Sequence, residues 1–592
     1  PRIDGNFSTW KVVQCCKTTR EQGNLLGEFL PCRPEVLNVA LNRHDTKNMH
    51  RFMFLKGMNV TFAFSGPCNA GKTTLMHKIK AKFGGRVHIV GECIRDKITS
   101  IDVVRNSTQN YFTLQQRVVM EKIKQEDDAL ATKKGQLILV DRSLADSLFY
   151  TTFYIDIKAL TETQKVEYVN FVKTVTETAK AKKRYDIVFM MQPLPITIKD
   201  LNAVSGVRTT FGTKGLADFI PQKSDPLVDQ LEQRGAVILG KTNTPEFGAG
   251  GNTFNDVFGQ TRNPWNTALN PGGSSGGAAA SLAAGEIWLS HGSDHGGSLR
   301  TPAAYCGIVG LRPSPGIAGG PGQDAAFIIE GVQGPMARSV RDCALFLDAM
   351  SGFDPQIAIS YPAPEIPYQE AVIRAEGKLK IAFAPDLGGF GQVDAEMAQH
   401  LATAMRELEK NGARIEETCP DLAHLERSYH TLRGLMWATA AKRLPQEIQA
   451  HFKSTLAENT AFGQALTLEE IIDANLNRSI LFNNMLSLFE TFDVLACPTV
   501  GCMPHLASEE WVHQVGGVEL TNYMDWLRFA FLATTTGLPA ISVPVGRGPR
   551  GLPVGLQLIG KPRGEAALLA AARQVELTFG GPLGPIDPIN PS

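Results

Sequence analysis

Two glycine-rich stretches decide the fold of this chain: PGGSSGGAAASLAAG at residues 271–285 and GSDHGGSLR at residues 292–300. Glycine allows positive φ angles and close backbone approaches, so each stretch is predicted to contain a tight loop rather than a regular element. The first loop carries Ser274 and Ser275, and the second carries Ser298. Consecutive amides before Ser298 can point at one position, which acyl transfer needs because negative charge develops on the former carbonyl oxygen. Gly-Ser stretches also occur as flexible linkers, so the loops alone leave both interpretations open.

A serine in such a loop becomes a nucleophile only when a base accepts its proton. Lys199 ends the apolar stretch LPITIK at residues 194–199, and burial there would lower its pKa from about 10.4. His295 is close to Ser298 in sequence but lies along the same turn, where it is poorly placed to reach the hydroxyl. We therefore expect His291 and His295 to pack in the loop, and the residues alone leave Lys199 as a candidate base.

The two stretches, their continuation TPAAYCGIVGLRPS and the segment PLPITIKD resemble the amidase signature family. Further matching segments include GAVILGKTNTPEFGAGG, FDVLACPT and GLPVGLQLIGKP, so the resemblance covers about residues 193–592. It implies hydrolysis of non-peptide amide bonds through an acyl-enzyme, on a small-molecule substrate and with no cofactor for that step. The residue roles that it implies are the nucleophile Ser298, the relay Ser274, the base Lys199, an oxyanion hole from the backbone of His295, Gly296, Gly297 and Ser298, and loop support from Asp294 and Arg300.

The fold implied by the resemblance is an amidase-signature α/β/α fold with a mixed central sheet. Periodicity predicts helices at 338–350, 394–411, 422–455 and 467–490, and strands at 236–239, 379–383, 493–496 and 540–545. The family's helical region before the lysine strand is missing from this sequence. The glutamine-hydrolysing component of a tRNA-dependent amidotransferase is an alternative within the same fold.

A second motif, GPCNAGKT at residues 66–73, fits the P-loop pattern GxxxxGK[ST] between a predicted strand and a predicted helix. The apolar stretch LILVD ends at Asp141, which suits a carboxylate facing a metal ion. Residues 58–192 resemble small P-loop ATPases of the nucleotide-kinase type, without their lid end. That resemblance implies ATP as a ligand, with Mg²⁺ on Thr73, and nucleotide-binding residues Gly66, Asn69, Ala70, Gly71, Lys72, Thr73, Thr74 and Asp141.

The chain is thus predicted to be α/β throughout, with a partial P-loop NTPase parallel-sheet domain at 58–192 and an amidase domain at 193–592. Residues 1–57 are a leader of unknown order. Such a chain is a fusion, or a composite of two unrelated genes. A P-loop kinase or ATPase carrying an inactive amidase passenger is a third functional hypothesis.

Composition limits the partners and the compartment. The chain has 592 residues, with 59 Lys and Arg against 59 Asp and Glu, which argues against nucleic acid and anionic membranes as partners. No long apolar run predicts a spanning helix, and residues 1–30 show no signal-peptide pattern. The 10 cysteines have no paired CxxC spacing, which favours free thiols and a cytoplasmic location.

Overall fold

The structure is a computed structural model that describes residues 194–320 and 326–591, and five backbone strands before them. Those strands are β1 (Trp10–Val13), β2 (Val60–Ser65), β3 (Val87–Val90), β4 (Leu137–Asp141) and β5 (Ile187–Met191). The chain divides into two units, Pro1–Leu194 and Pro195–Ser592.

The first unit contains a 5-stranded sheet in the order β1-β5-β2-β4-β3. Strands β2, β3, β4 and β5 pair in parallel, as the alternation of strands and helices in the sequence predicted. Strand β1 pairs antiparallel with β5 at one edge. The sequence did not predict β1, because a strand of four residues among scattered charges is too short to show an alternation of apolar and polar residues.

The second unit is built on a 10-stranded sheet in the order β14-β13-β15-β19-β18-β11-β12-β10-β6-β7. Strand β10 runs parallel to β6 and antiparallel to β12, so the sheet is mixed, and the predicted α/β class with a mixed central sheet is confirmed. The strands are β6 (Leu194–Lys199), β7 (Ala236–Thr242), β8 (Phe254–Asn255), β9 (Gly259–Gln260), β10 (Leu289–Asp294), β11 (Val309–Arg312), β12 (Val332–Ala337), β13 (Lys380–Phe383), β14 (Arg414–Glu417), β15 (Val494–Pro498), β16 (Gln514–Val515), β17 (Val518–Glu519), β18 (Ala540–Arg547) and β19 (Pro553–Ile559).

Helices surround this sheet. They are α1 (Pro226–Gln233), α2 (Gly276–Ala283), α3 (Arg300–Cys306), α4 (Val340–Met350), α5 (Tyr368–Ile373), α6 (Ala395–Lys410), α7 (Leu425–Ala441), α8 (Gln446–Gln449), α9 (Ser454–Ala465), α10 (Leu468–Thr491), α11 (Phe531–Thr536) and α12 (Glu565–Thr578). The prediction of one helix over 422–455 was wrong, because α7 ends at Ala441 and Pro445 starts a separate turn. Proline lacks the amide and clashes with the preceding turn, so a helix cannot pass through it without a break.

The core lies between the sheet and its helices. Strands β15 and β19 are buried along their whole length, and their apolar side chains pack against α10, α11 and the loop before α11. A second apolar cluster joins α2 and α3 to the strands beside them, through residues such as Leu282, Leu299 and Met336. This cluster fixes the two helices that start directly after the serine-bearing loops.

In the part of the chain that the structure describes, no helix combines the length and apolar character needed to cross a bilayer.

Candidate active site

Two loops and the end of one strand form the candidate site. Ser274 and Ser275 directly precede α2, and Ser298 lies between β10 and α3. The Gly273–Ser274 peptide bond is cis. The loops contact each other through the Ser275 amide, which donates to the Ser298 carbonyl oxygen at 3.3 Å.

Two glycines make these loops possible. Gly272 has φ +78°, and a Cβ there would lie 2.7 Å from the Cα of Pro302 at the start of α3. Gly297 has φ +90°, a backbone conformation that residues other than glycine rarely adopt. The glycine pattern in the sequence thus reflects both a backbone conformation and the close contact between the two loops.

Lys199, at the end of β6, lies among the serines. Its Nζ is 2.7 Å from Ser274 Oγ, 2.9 Å from Ser275 Oγ and 3.0 Å from Ser293 Oγ. The strand pairing Ser290–Thr197 between β10 and β6 brings the second glycine-rich segment to the lysine. The structure therefore brings together residues that are separated by 75 positions or more.

Burial determines the protonation of Lys199. The residue is 0% exposed, and this burial lowers its pKa to about 7, although Asp294 opposes the shift. A buried amine loses the hydration that stabilises its charged form, while the hydroxyls around it supply only neutral hydrogen bonds. At a pH near 7 a large fraction of Lys199 is therefore neutral and able to accept a proton.

Asp294 holds the Ser298 loop. It ends β10, and its carboxylate accepts hydrogen bonds from the amides of Gly297 and Leu299 and two from Arg300. Arg312 donates to the Asp294 carbonyl and to its carboxylate. Burial by itself would raise the pKa of Asp294, but the two arginines hold that pKa well below its usual range. The loop is therefore tied to a permanently ionised carboxylate.

This arrangement reduces the number of backbone amides that are free to form the predicted oxyanion hole. The Gly297 amide donates to Asp294 Oδ1 at 3.2 Å, so in this structure it holds the turn. The amides of His295, Gly296 and Ser298 remain the candidates to receive an oxyanion. Ser298 is 7% exposed, and among the described residues its hydroxyl has no hydrogen-bond partner.

The two nearby histidines are neutral. Burial lowers the pKa of His291 to about 3, and its ring lies 2.9 Å from Gln333 Oε1. Burial, with the nearby charge of Arg433, also lowers the pKa of His295 well below its usual value. Both rings pack within the protein, so neither has the position and pKa expected of the base for Ser298.

Sequence reasoning missed several residues at this site. Ser275 and Ser293 hydrogen-bond to the lysine. The one signal in the sequence was that Ser275 follows Ser274 and Ser293 precedes Asp294. Tyr429 and Arg433 of α7 contact the His295 ring. Nothing in the sequence around them marks these two, because α7 is far from the loops in sequence.

One group of side chains has the composition of a cation site. Glu426, His430 and Asp525 each offer an atom within 4.8 Å of the others. Arg528, however, pairs with Glu426 and with Asp525 at 3.1 Å. The two carboxylates therefore already share the positive charge of one guanidinium.

The predicted nucleotide-binding residues Gly66 to Thr74 lie outside the described residues. Asp141 is described at the backbone level as the last residue of β4, in parallel register with Phe64 of β2. Because parallel strands end at the same edge, Asp141 lies at the same edge of the sheet as Ser65, the last residue of β2.

The fold and this site define an amidase-type hydrolase, and comparison with known proteins agrees. Residues 150–569 match the family model described as Amidase, and residues 61–209 match the one described as an AAA domain. The chain therefore belongs to the amidase family of carbon–nitrogen hydrolases, and both predicted resemblances are confirmed.

Individual relatives differ in what their names say they do. The chain is 34% identical to the A component of the glutamyl-tRNA(Gln) amidotransferase of Moorella thermoacetica, over 67% of this chain and 85% of the relative. It is 36% identical to an acylamidase of Rhodococcus erythropolis, over 65% of this chain and 80% of the relative. Among solved structures it is similar to a bacterial aryl acylamidase, with a TM-score of 0.61, 26% identity, and coverage of 69% and 86% of the two chains.

Proposed function

We propose that this protein hydrolyses amide bonds of small molecules with Ser298 as nucleophile, Ser274 as relay and Lys199 as base. The observation that carries the proposal is the 2.7 Å separation of Lys199 Nζ and Ser274 Oγ, with the lysine fully buried. A neutral amine has one lone pair, so it accepts a proton from Ser274 Oγ while its own two hydrogens go to other hydroxyls. Ser275 and Ser293 are the hydroxyls placed to receive them.

The reaction then proceeds by acyl transfer. Ser298 Oγ attacks the amide carbonyl carbon, and its proton passes through Ser274 Oγ to Lys199 Nζ. The amides of His295, Gly296 and Ser298 stabilise the oxyanion. The relay returns the proton to the departing amine as the carbon–nitrogen bond breaks, and water activated by the same lysine hydrolyses the ester of Ser298.

Labelling of Ser298 tests this assignment directly. A fluorophosphonate probe should modify Ser298 in the full chain, and mass spectrometry of the digested protein should locate the adduct there. Turnover of aryl and aliphatic amides should disappear in the same labelled sample. Labelling at another serine with loss of turnover would reject the assignment.

A glutamine-hydrolysing role is the second candidate, supported by the 34% identity to a component of a glutamyl-tRNA(Gln) amidotransferase. Glutamine carries an amide in its side chain, so the same catalytic side chains would hydrolyse it. Comparing turnover of L-glutamine with that of aryl amides separates the two candidates. Preference for glutamine would favour the amidotransferase role.

For the first unit we propose binding of ATP with Mg²⁺ through the residues at 66–74 and Asp141, with Thr73 on the metal. The match of residues 61–209 to an AAA domain and the position of Asp141 beside β2 support this. A carboxylate at that edge is the donor type that Mg²⁺ prefers. Binding of a fluorescent ATP analogue, with and without Mg²⁺, tests it; equal binding by the Lys72→Ala variant would contradict it. If the protein is instead a P-loop kinase or ATPase with an inactive amidase domain, it should turn over ATP and Ser298 should not be labelled.

A further inference from the structure

The long helix α10 is apolar on two opposite faces. Its inner face carries Leu481, Met485 and Phe489, each at most 5% exposed, in the apolar core that also contains α11. Its outer face carries a leucine or isoleucine at every fourth position, here called the outer stripe: Leu468, Ile472, Leu476 and Ile480, which are 74, 50, 62 and 46% exposed. Positions four apart lie on one side of a helix, so these side chains follow one another along α10. A helix that is apolar all round is normally buried all round, whereas α10 is covered on one side.

The outer stripe also lacks the charges that normally cover an exposed helix. Charged residues make up 20% of the chain, but between Asp473 and Glu490 the helix contains one, Arg478. That guanidinium is already paired with Glu330 at 2.8 Å. The exposed polar side chains beside the stripe are neutral: Asn475, Ser479 and Asn483. Covering such a surface removes apolar area from water without stripping a charge of its hydration.

We propose that the outer stripe of α10 packs against the same stripe of a second copy of this chain, so that the protein forms a two-fold symmetric dimer. In such a dimer one surface patch meets itself and every contact occurs twice. The four-residue spacing is unchanged when the helix direction is reversed. Antiparallel pairing therefore lets Leu468 pack against Ile480 of the second copy, and Ile472 against Leu476 of the second copy. This inference does not depend on the proposed amide hydrolysis.

Two other occupants fit the outer stripe less well. Helices that lie on a membrane surface carry Lys or Arg on their polar face, whereas the exposed charges of α10 are the carboxylates of Glu469 and Glu490. A different protein is usually selected by complementary charge, and the stripe offers none. A second copy needs no such charge, because the spacing of the stripe already matches itself.

The size of the surface sets the strength expected of the dimer. Helix α10 has 24 residues, so it is about 36 Å long, and a face about 10 Å wide presents roughly 360 Å². A specific interface buries about 800 Å² per partner, so groups at the flanks must contribute as well. Two exposed aromatic rings are placed for this: Phe462 of the preceding helix α9, and Phe327, in the loop that Glu330 joins to Arg478. We therefore expect a reversible dimer with a Kd on the order of micromolar.

Sedimentation equilibrium of the full chain tests the proposal over a concentration series that spans the micromolar range. The measured mass should rise with concentration from that of one chain towards that of two. Leu476→Glu places a carboxylate within the stripe of both copies and should raise the Kd by about 30-fold or more. Ile472→Glu, one turn away, should have the same effect. Leu577→Glu is the matched control, because Leu577 of α12 is a leucine of similar exposure, 58%, away from α10.

Three results would overturn the proposal. The first is a wild-type chain that stays monomeric over the whole series. The second is a dimer that persists unchanged in Leu476→Glu and Ile472→Glu, with folding of both variants checked by thermal unfolding. The third is a monomer that floats with phosphatidylcholine vesicles and loses this binding in Leu476→Glu, which would assign the outer stripe to a lipid surface.

Discussion

The Nζ of Lys199 lies 2.7 Å from the Oγ of Ser274, although 75 positions separate the two residues in the chain. The lysine is fully buried, with a pKa lowered to about 7. A short contact between a neutral amine and a hydroxyl is what general-base catalysis through a relay requires.

Removing any member of the triad should impair amide hydrolysis. Ser298→Ala should abolish turnover, because the acyl-enzyme forms on that hydroxyl. Ser274→Ala and Lys199→Ala should each lower kcat by about 10²-fold or more, the usual size of general-base losses. Ser281→Ala is the matched control, since Ser281 Oγ donates within α2 to the Ala278 carbonyl. Normal turnover of Lys199→Ala would remove the lysine from the mechanism.

The pH profile of kcat/KM should show a single limb that rises with pH. Because Lys199 must be neutral to act, kcat/KM should rise with pH through about 7 and then level off. The same pKa affects stability: between about pH 7 and 10.5 the unfolded chain binds a proton that the folded chain has lost. The contribution of Lys199 to the free energy of unfolding therefore rises with pH across that window. A bell-shaped profile centred near pH 6.5 would point to a histidine base instead.

Ser293→Ala should move that limb to lower pH. The Ser293 hydroxyl lies 3.0 Å from Lys199 Nζ, and the charged amine loses an acceptor when the hydroxyl is removed. A hydrogen bond of a charged group is worth about 1.5–3 kcal/mol, so a shift of about one to two pH units is expected. The kcat/KM profile of wild-type and variant measures it. A limb at the same or higher pH would show that Ser293 does not stabilise the protonated lysine.

Asp294→Asn should destabilise the fold as well as the site. Arg300 and Arg312 would then be buried without their carboxylate, and breaking a buried pair costs about 3–5 kcal/mol. Glu426→Gln is the comparison, because that carboxylate is half exposed and pairs with Arg528, where losses are about 0–1 kcal/mol. Denaturant unfolding of both variants checks the difference, and equal losses of stability would argue against a stabilising role of the Asp294 ion pairs.

Lys72→Ala should separate the two units functionally. Acyl transfer at Ser298 needs no phosphate, so amide turnover should be unchanged while ATP binding weakens. Amide turnover should also be independent of added ATP in the wild-type protein. Loss of amide hydrolysis in this variant, with normal folding, would show that the units act as one coupled machine.

Local sequence patterns were enough to predict much of this protein. The glycine-rich stretches indicated loops because their conformations, such as φ +78° at Gly272, are accessible to glycine. The strands predicted at 493–496 and 540–545 were found because their apolar runs are uninterrupted, as expected for strands that are buried on both sides. The break after α7 was missed, since the apolar pattern continues past Ala441 while Pro445 prevents the helix from doing so.

The sequence by itself determined the loops and several strands, because glycine conformations and apolar periodicity are local properties, while its resemblance to the amidase signature family pointed to the fold and to Lys199, Ser274 and Ser298. Tertiary structure alone decided that Ser275 and Ser293 surround the lysine, that Asp294 engages the Gly297 amide, and that α7 places Arg433 against His295. These contacts join segments far apart in the chain or depend on the orientation of a side chain within a turn. They are fixed by sheet register and helix packing, which no local pattern encodes.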